Sequence, residues 1–365
     1  MKIPEGFTIS GINCGIKRKS EPDLGLICAD KFAKAIGFFT GNVNPSYSVS
    51  LCRRNINNPI KAVLVNSGNA NCYLSRNGIK NTEKITGALA KKLGVKRENI
   101  LIASTGIIGK KLPSARITAA FPGLIDNLGK SGKDFSRSIL TTDTTEKVSY
   151  AHCPFRKGGG HILGFAKGSG MIFPNMGTML SFILTDVYTE GKAFRKLIKE
   201  AVGESFNSIS VDGCTSTNDT VLLLSSKRKL LKYSKDIKEF SQKIKKVFTE
   251  LAKKVVKDGE GATKFITVHI KGARNKTEAR RAGFCIANNP LFKCAMYGEN
   301  PNWGRIISAL GQEGIKTEDK AKINFSSLKR KNIQIKVDLK RGSSEWKVYT
   351  CDFSPGYIKI NAEYS

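Results

Sequence analysis

Short, wholly apolar runs alternate with longer amphipathic stretches along this chain. That is the pattern of strands buried on both faces between layers of helix. Ala62-Val63-Leu64-Val65-Asn66 predicts a buried strand that ends in a turn over Ser67-Gly68-Asn69-Ala70-Asn71. Residues 80–95 predict a helix closed by Gly94, and 99–103 a second strand that runs into Ser104-Thr105-Gly106. Thr220-Val221-Leu222-Leu223-Leu224 predicts a further strand. The longest helix is expected over 234–257, where Ile237, Phe240, Ile244, Val247, Phe248, Leu251 and Val255 recur at helical spacing and lysines cover the opposite face. The tail, roughly 333–360, holds alternating strand-like runs such as Asn332–Val337. The fold class that follows is layered α/β, of the α+β kind, with sheets packed between helix layers.

Composition adjusts this picture at one point. With 61 Lys+Arg against 30 Asp+Glu, the net charge over 365 residues is +31. Such a charge suggests a nucleic-acid or membrane-surface partner. However, the basic residues are mostly lysines scattered along the chain, not a patch, and arginine, the better reader of phosphate and guanine, is the minority. No nucleic acid and no membrane is therefore expected as a partner. Nine cysteines, at 14, 28, 52, 72, 153, 214, 285, 294 and 351, stand singly with no C-x-x-C pair, and three histidines lack ligand spacing. Neither a zinc site nor a disulfide framework is indicated, and reduced thiols in a cytoplasmic protein are expected. The N-terminal MKIPEGFTISG has no apolar signal core, and no apolar run approaches the length of a membrane span.

The stretch richest in chemistry is 167–180, KGSGMIFPNMGTML. A phosphate loop is rejected, because Gly109-Lys110-Lys111 lacks both the first glycine and the hydroxyl that follows the lysine. Gly158-Gly159-Gly160 lacks the strand–turn–helix frame of dinucleotide binding. Gly177-Thr178, a small residue before a hydroxyl in a Gly/Pro-rich loop, suits an N-to-O acyl shift. The hydroxyl attacks the preceding carbonyl, and hydrolysis of the ester frees a new amino terminus. That amine, with a reference pKa of about 7.7–8.0, then serves as base for its own hydroxyl.

Taken together the motifs resemble the ornithine acetyltransferase (glutamate N-acetyltransferase) family of arginine biosynthesis, almost end to end. They include Gly15-Ile16-Lys17, Pro22-Asp23-Leu24, Val65–Asn71, Ala103-Ser104-Thr105-Gly106-Ile107-Ile108-Gly109, Thr141-Thr142-Asp143-Thr144 and Lys167–Leu180. Val211-Asp212-Gly213, Thr215–Thr220, Asp258–Lys264, Gly298–Arg305 and Ile360-Asn361-Ala362-Glu363-Tyr364 follow in order. The resemblance implies the fold of these enzymes and of related self-processing aminopeptidases. It implies cleavage between Gly177 and Thr178 into pieces of 177 and 188 residues that remain one intertwined catalytic unit, paired as two alpha and two beta chains. Thr178 becomes the nucleophile that carries acetyl from N2-acetylornithine to L-glutamate. Thr105 and Gly106 match the oxyanion hole. Thr141 (or its neighbour Thr142), Lys167, Thr178, Glu260 and Asn361 match substrate-binding positions, and Ser365 is taken in place of the final one. No cofactor and no metal is implied, and acetyl-CoA stays open as a second donor.

Two departures from the family pattern stand out. Gly177 replaces the alanine common before the cleaved bond, and the chain stops at Ser365, one residue short of the usual register for a final substrate-touching Ser or Thr. Gly298–Arg305 is read as scaffold, and Asp219 with Asp258 as structural acids without a ligand pattern. The rival readings are an amidase or aminopeptidase on the same fold, with water as acceptor, and a basic nucleic-acid-binding protein.

Overall fold

The computed structural model describes residues 2–17, 20–129, 132–156, 158–173, 179–189, 191–317 and 320–363. Gly177, Thr178 and Ser365 lie outside them. The chain groups into two compact units. One is built from Met1–Gly168, Pro174–Asn207 and Thr215–Ala252, the other from Ser169–Phe173, Ser208–Cys214 and Lys253–Ser365.

The first unit is organised by strands β1 (Phe7–Ile12), β2 (Leu24–Phe39), β3 (Ile60–Asn69), β4 (Ile100–Ile107), β5 (Lys147–Pro154), β6 (Gly159–Lys167), β7 (Leu180–Tyr188) and β8 (Thr220–Leu230). They form one sheet in the order β4-β3-β2-β8-β7-β6-β5, with β1 paired to β2. The apolar runs are explained by burial on both faces. Val63, Val65, Leu101 and Ala103 join one core cluster, whereas Ala62, Leu64, Ile100 and Ile102 join another with Ile85, Leu89 and Phe121. Burying each such Val, Leu or Ile contributes about 1.5–3 kcal/mol, so register is fixed by both faces at once.

The helix Ser234–Lys257 has the expected bounds, and Phe240, Ile244, Val247, Phe248 and Leu251 of its apolar stripe are each at most 1% exposed. It lies close on β6 at Gly164, where a Cβ would come 2.6 Å from Leu251 Cδ1. The helix expected over 80–95 starts earlier, spanning Ser75–Lys92. Its end is as anticipated: Gly94 takes φ +66°, its N–H donates to Lys91 O, and Val95 N–H donates to Ala90 O. This is the Schellman arrangement that favours glycine.

The second unit holds a four-stranded sheet of β9 (Phe265–Ala273), β10 (Lys322–Phe325), β11 (Asn332–Asp338) and β12 (Ser344–Cys351), in the order β10-β11-β9-β12. Helices Lys276–Ala287, Pro290–Tyr297 and Trp303–Gln312 bury Ala279, Ala282, Ile286, Phe292, Met296, Ile306 and Leu310 with the strand residues Ile266, Val268, Ile270, Ile333, Ile335 and Val337. One expectation is corrected. The tail is not strand-like to 360, because Pro355–Glu363 is a helix. Both units have the layered α/β character expected. Among the described residues no helix is long and apolar enough to cross a membrane.

Candidate active site

Four of the residues singled out above come together in the first unit, at the ends of β4 and β6 and in the segment before β5. β3 and β4 run parallel, and Ser67 pairs with Thr105 and Gly68 with Gly106. The two strands are unusually close there, since a Cβ on Gly106 (φ +129°) would sit 2.3 Å from the Gly68 carbonyl carbon. Only glycine fits that approach and that backbone angle. The residues expected to form a turn after Asn66 instead extend β3 to Asn69, and β4 likewise continues through Thr105 and Gly106 to Ile107. Buried side chains satisfy the polar positions. Ser104 Oγ donates to Asn66 Oδ1 at 2.7 Å, Ser67 Oγ donates to Ser138 O at 2.7 Å, and Asn218 Nδ2 donates to Ala70 O and Ser104 O at 2.6 and 2.8 Å.

Lys167 ends β6, opposite Leu180 of β7. Its ammonium donates to Thr141 Oγ1 at 2.6 Å and to Thr105 Oγ1 at 3.2 Å, and lies 3.7 Å from Asp143 Oδ2. Asp143 is fully shielded and 2.7 Å from the equally shielded Lys147 ammonium. It also accepts the N–H groups of Gly168 (2.6 Å) and Thr141 (3.1 Å). Burial alone would raise its carboxyl pKa, but Lys167 and then Lys147 outweigh burial and hold it well below the usual carboxylate range. A hydroxyl that accepts from an ammonium keeps its own proton for another acceptor. Thr105 and Thr141 are therefore set as donors toward an oxygen-rich ligand.

Glu260 and Asn361, of the second unit, also come together. Asn361 Nδ2 donates to Glu260 Oε2 at 3.0 Å and to Tyr357 O at 3.0 Å. The Glu260 backbone is anchored by its N–H to Ser169 O at 2.9 Å. Its side chain lies against Gly170, where a Cβ would be 2.2 Å from Oε2. Gly261 adopts φ +65° with Tyr357 N only 2.2 Å from where its Cβ would point. Asp352 holds the following residues by accepting from Thr263 N–H, Thr263 Oγ1–H and Lys264 N–H. Burial, then Asp212, Cys214 and Glu260, push the Tyr357 phenol above its ordinary value.

The structure thus brings Thr105, Gly106, Thr141 and Lys167 into one cluster and pairs Glu260 with Asn361, while Gly177, Thr178 and Ser365 lie outside the described residues. Between Thr141 and Thr142, it is Thr141 whose hydroxyl meets Lys167. Asn302 caps the helix Trp303–Gln312 by accepting from Arg305 N–H, in keeping with a scaffold role. Asp219 and Asp258 fall in different units. Asp143 is the functional residue that sequence reasoning missed. Its motif was visible, but its partners stand four and twenty-four residues further on, with no local signal to join them.

Residues 8–365 match the ArgJ family model. The chain is 38% identical to the arginine biosynthesis bifunctional protein ArgJ of Chlorobaculum tepidum, over 99% of this chain and 96% of that protein. It is 36% identical to the glutamate N-acetyltransferase of Methanopyrus kandleri, over the full length of both. An ornithine acetyltransferase structure from Mycobacterium tuberculosis, complexed with ornithine, matches at 27% identity and TM-score 0.44 over 47% of this chain and 93% of that one. On the match across nearly its whole length, the chain belongs to the ArgJ family.

Proposed function

We propose that this protein is a glutamate N-acetyltransferase, which moves acetyl from N2-acetylornithine to L-glutamate through an acetyl ester on Thr178. The observation that carries the proposal is the Lys167–Thr105–Thr141 cluster beside Gly106, in a chain that matches its relatives end to end. In this reading the chain cleaves itself between Gly177 and Thr178 into segments 1–177 and 178–365. The freed α-amine takes the proton from the Thr178 hydroxyl as its oxygen attacks the acetyl carbonyl. The tetrahedral oxyanion accepts hydrogen bonds from the Thr105 hydroxyl and the Gly106 N–H. As it collapses, the Thr178 α-ammonium passes its proton to the departing nitrogen, the C–N bond breaks and ornithine leaves. Lys167 keeps Thr105 oriented as a donor by occupying its oxygen. The neutral α-amine of L-glutamate then attacks the ester with the same oxyanion stabilisation. The Thr178 α-amine relays the proton from that nitrogen to the departing Thr178 oxygen, which restores the hydroxyl and releases N-acetylglutamate. Glu260, paired with Asn361, is the substrate-binding acid suited to the side-chain amine of ornithine, and Ser365 is a further substrate contact.

The same reading assigns two alpha and two beta chains to the assembly, the cytoplasm as location, no resident cofactor, and acetyl-CoA as a candidate second donor. It is tested by incubating purified protein with N2-acetylornithine, with and without L-glutamate. The expected result is stoichiometric ornithine and N-acetylglutamate, and ornithine release that needs glutamate once Thr178 is acetylated. Steady release of free acetate without glutamate would instead make the protein an amidase.

A further inference from the structure

Lys17 is a cation that the acetyl-transfer reading leaves unused. The backbone that carries it is pinned from below. Asp23, completely buried, accepts from Cys14 N–H at 2.7 Å, Ile16 N–H at 2.6 Å and Lys17 N–H at 3.0 Å. The side-chain stem lies over Gly68, with Cγ 3.2 Å from where a Cβ on that glycine would stand. Gly68 belongs to β3 and is paired with Gly106 of β4, so Lys17 packs on the strand adjacent to the one that carries Thr105 and Gly106. Its ammonium donates to one acceptor, the Pro22 carbonyl at 3.0 Å, and has no ion-pair carboxylate among the described residues. Lys167, by contrast, is already engaged by Thr105, Thr141 and the Asp143 carboxylate.

We propose that Lys17 is a second cationic substrate-binding residue, which receives the α-carboxylate of the amino-acid substrates. Ornithine and glutamate carry opposite side-chain charges, and the only charged groups they share are the α-amine and the α-carboxylate. A fixed ammonium next to the oxyanion strand assists both half-reactions only if it faces that shared carboxylate. Burial, helped by Lys167, pushes the Lys17 pKa down, while Glu21, Asp23 and Asp143 oppose it, so its charge is held at a net cost that an incoming anion would relieve.

This inference rests on the acetyl-transfer reading, and equilibrium binding separates the two. L-Ornithine, L-glutamate and L-glutamic acid α-amide, none of which carries acetyl, are titrated calorimetrically into wild type, Lys17→Met and Lys17→Arg. Loss of one charge-assisted contact predicts a decrease in affinity of about 10–100-fold for both ornithine and glutamate in Lys17→Met, with most of it restored in Lys17→Arg. The wild type discriminates against the α-amide, and Lys17→Met does not. Unchanged affinity, a loss for glutamate alone, or discrimination retained in Lys17→Met would overturn the assignment of Lys17. Wild-type turnover that yields no N-acetylglutamate would overturn the acetyl-transfer reading instead.

Discussion

Replacing Asp143 by Asn removes the carboxylate that lies 2.7 Å from the Lys147 ammonium and 3.7 Å from that of Lys167. At an effective dielectric of about 20, those contacts have gross energies of roughly 6 and roughly 4–5 kcal/mol. Desolvation of three buried charges takes back much of this. Breaking such a pair by deleting one partner nevertheless costs about 3–5 kcal/mol, because the cations left behind remain buried. Asp143→Asn should therefore lose about 3–5 kcal/mol in urea unfolding at neutral pH. The pH dependence has a definite sign. The folded carboxyl is held low because Lys167 and Lys147 outweigh burial. Its stabilisation is therefore present above the unfolded value of about 3.9 and is lost as pH falls from there toward the folded value. The gap between wild type and variant should be full at neutral pH and narrow progressively below about pH 4. Asp143→Asn combined with Lys147→Met, which restores the charge balance of the cluster, should recover part of the neutral-pH loss. A variant within about 1 kcal/mol of wild type, as for an exposed ion pair, with a gap indifferent to pH, would refute the counter-ion role.

Other outcomes follow from the same geometry. Thr105→Val should lower kcat by about 100–1000-fold in the acetylglutamate assay while leaving urea unfolding close to wild type, as for loss of one oxyanion donor. Gly94→Ala, at φ +66° with open space around it, should cost about 1 kcal/mol of unfolding free energy. Gly261→Ala should cost clearly more, because its Cβ would meet Tyr357 N at 2.2 Å. Native protein treated with a thiol reagent at pH 8 should react first at the exposed Cys214 and Cys294. Cys52, which burial pushes up to about 12, should react only on unfolding, and peptide mapping of the labelled sites checks the order.

Much of this fold is legible from apolar periodicity where periodicity exists. The helix Ser234–Lys257 carries a complete stripe, and its bounds follow from the sequence. The first turns of Ser75–Lys92 are polar, and Gly78 is there to admit the Tyr47 ring, which would lie 2.0 Å from a Cβ. Neither feature reads as helix. The terminal helix Pro355–Glu363 has no fully buried residue, so it lacks a stripe altogether. Asn66, Ser67 and Gly68 are turn formers by composition, yet long-range hydrogen bonds to Ser104 and Ser138 hold them in a strand. The site divides along the same line. Thr105, Gly106, Thr141 and Lys167 are found through a family resemblance carried by short motifs, and the structure gathers them. Asp143 and Lys17 gain their meaning through Lys167 and Gly68, which lie far off in sequence, as well as through near neighbours that form no recognisable local pattern.

Acetyl transfer by this chain depends on Thr178. Intact-mass analysis of the purified protein, before and after addition of N2-acetylornithine, addresses it directly. The expected result is two pieces of 177 and 188 residues, and one added acetyl group on the larger piece that disappears when L-glutamate is supplied. A single uncleaved chain that still forms N-acetylglutamate, or an acetyl group that maps to any residue other than Thr178, would contradict it.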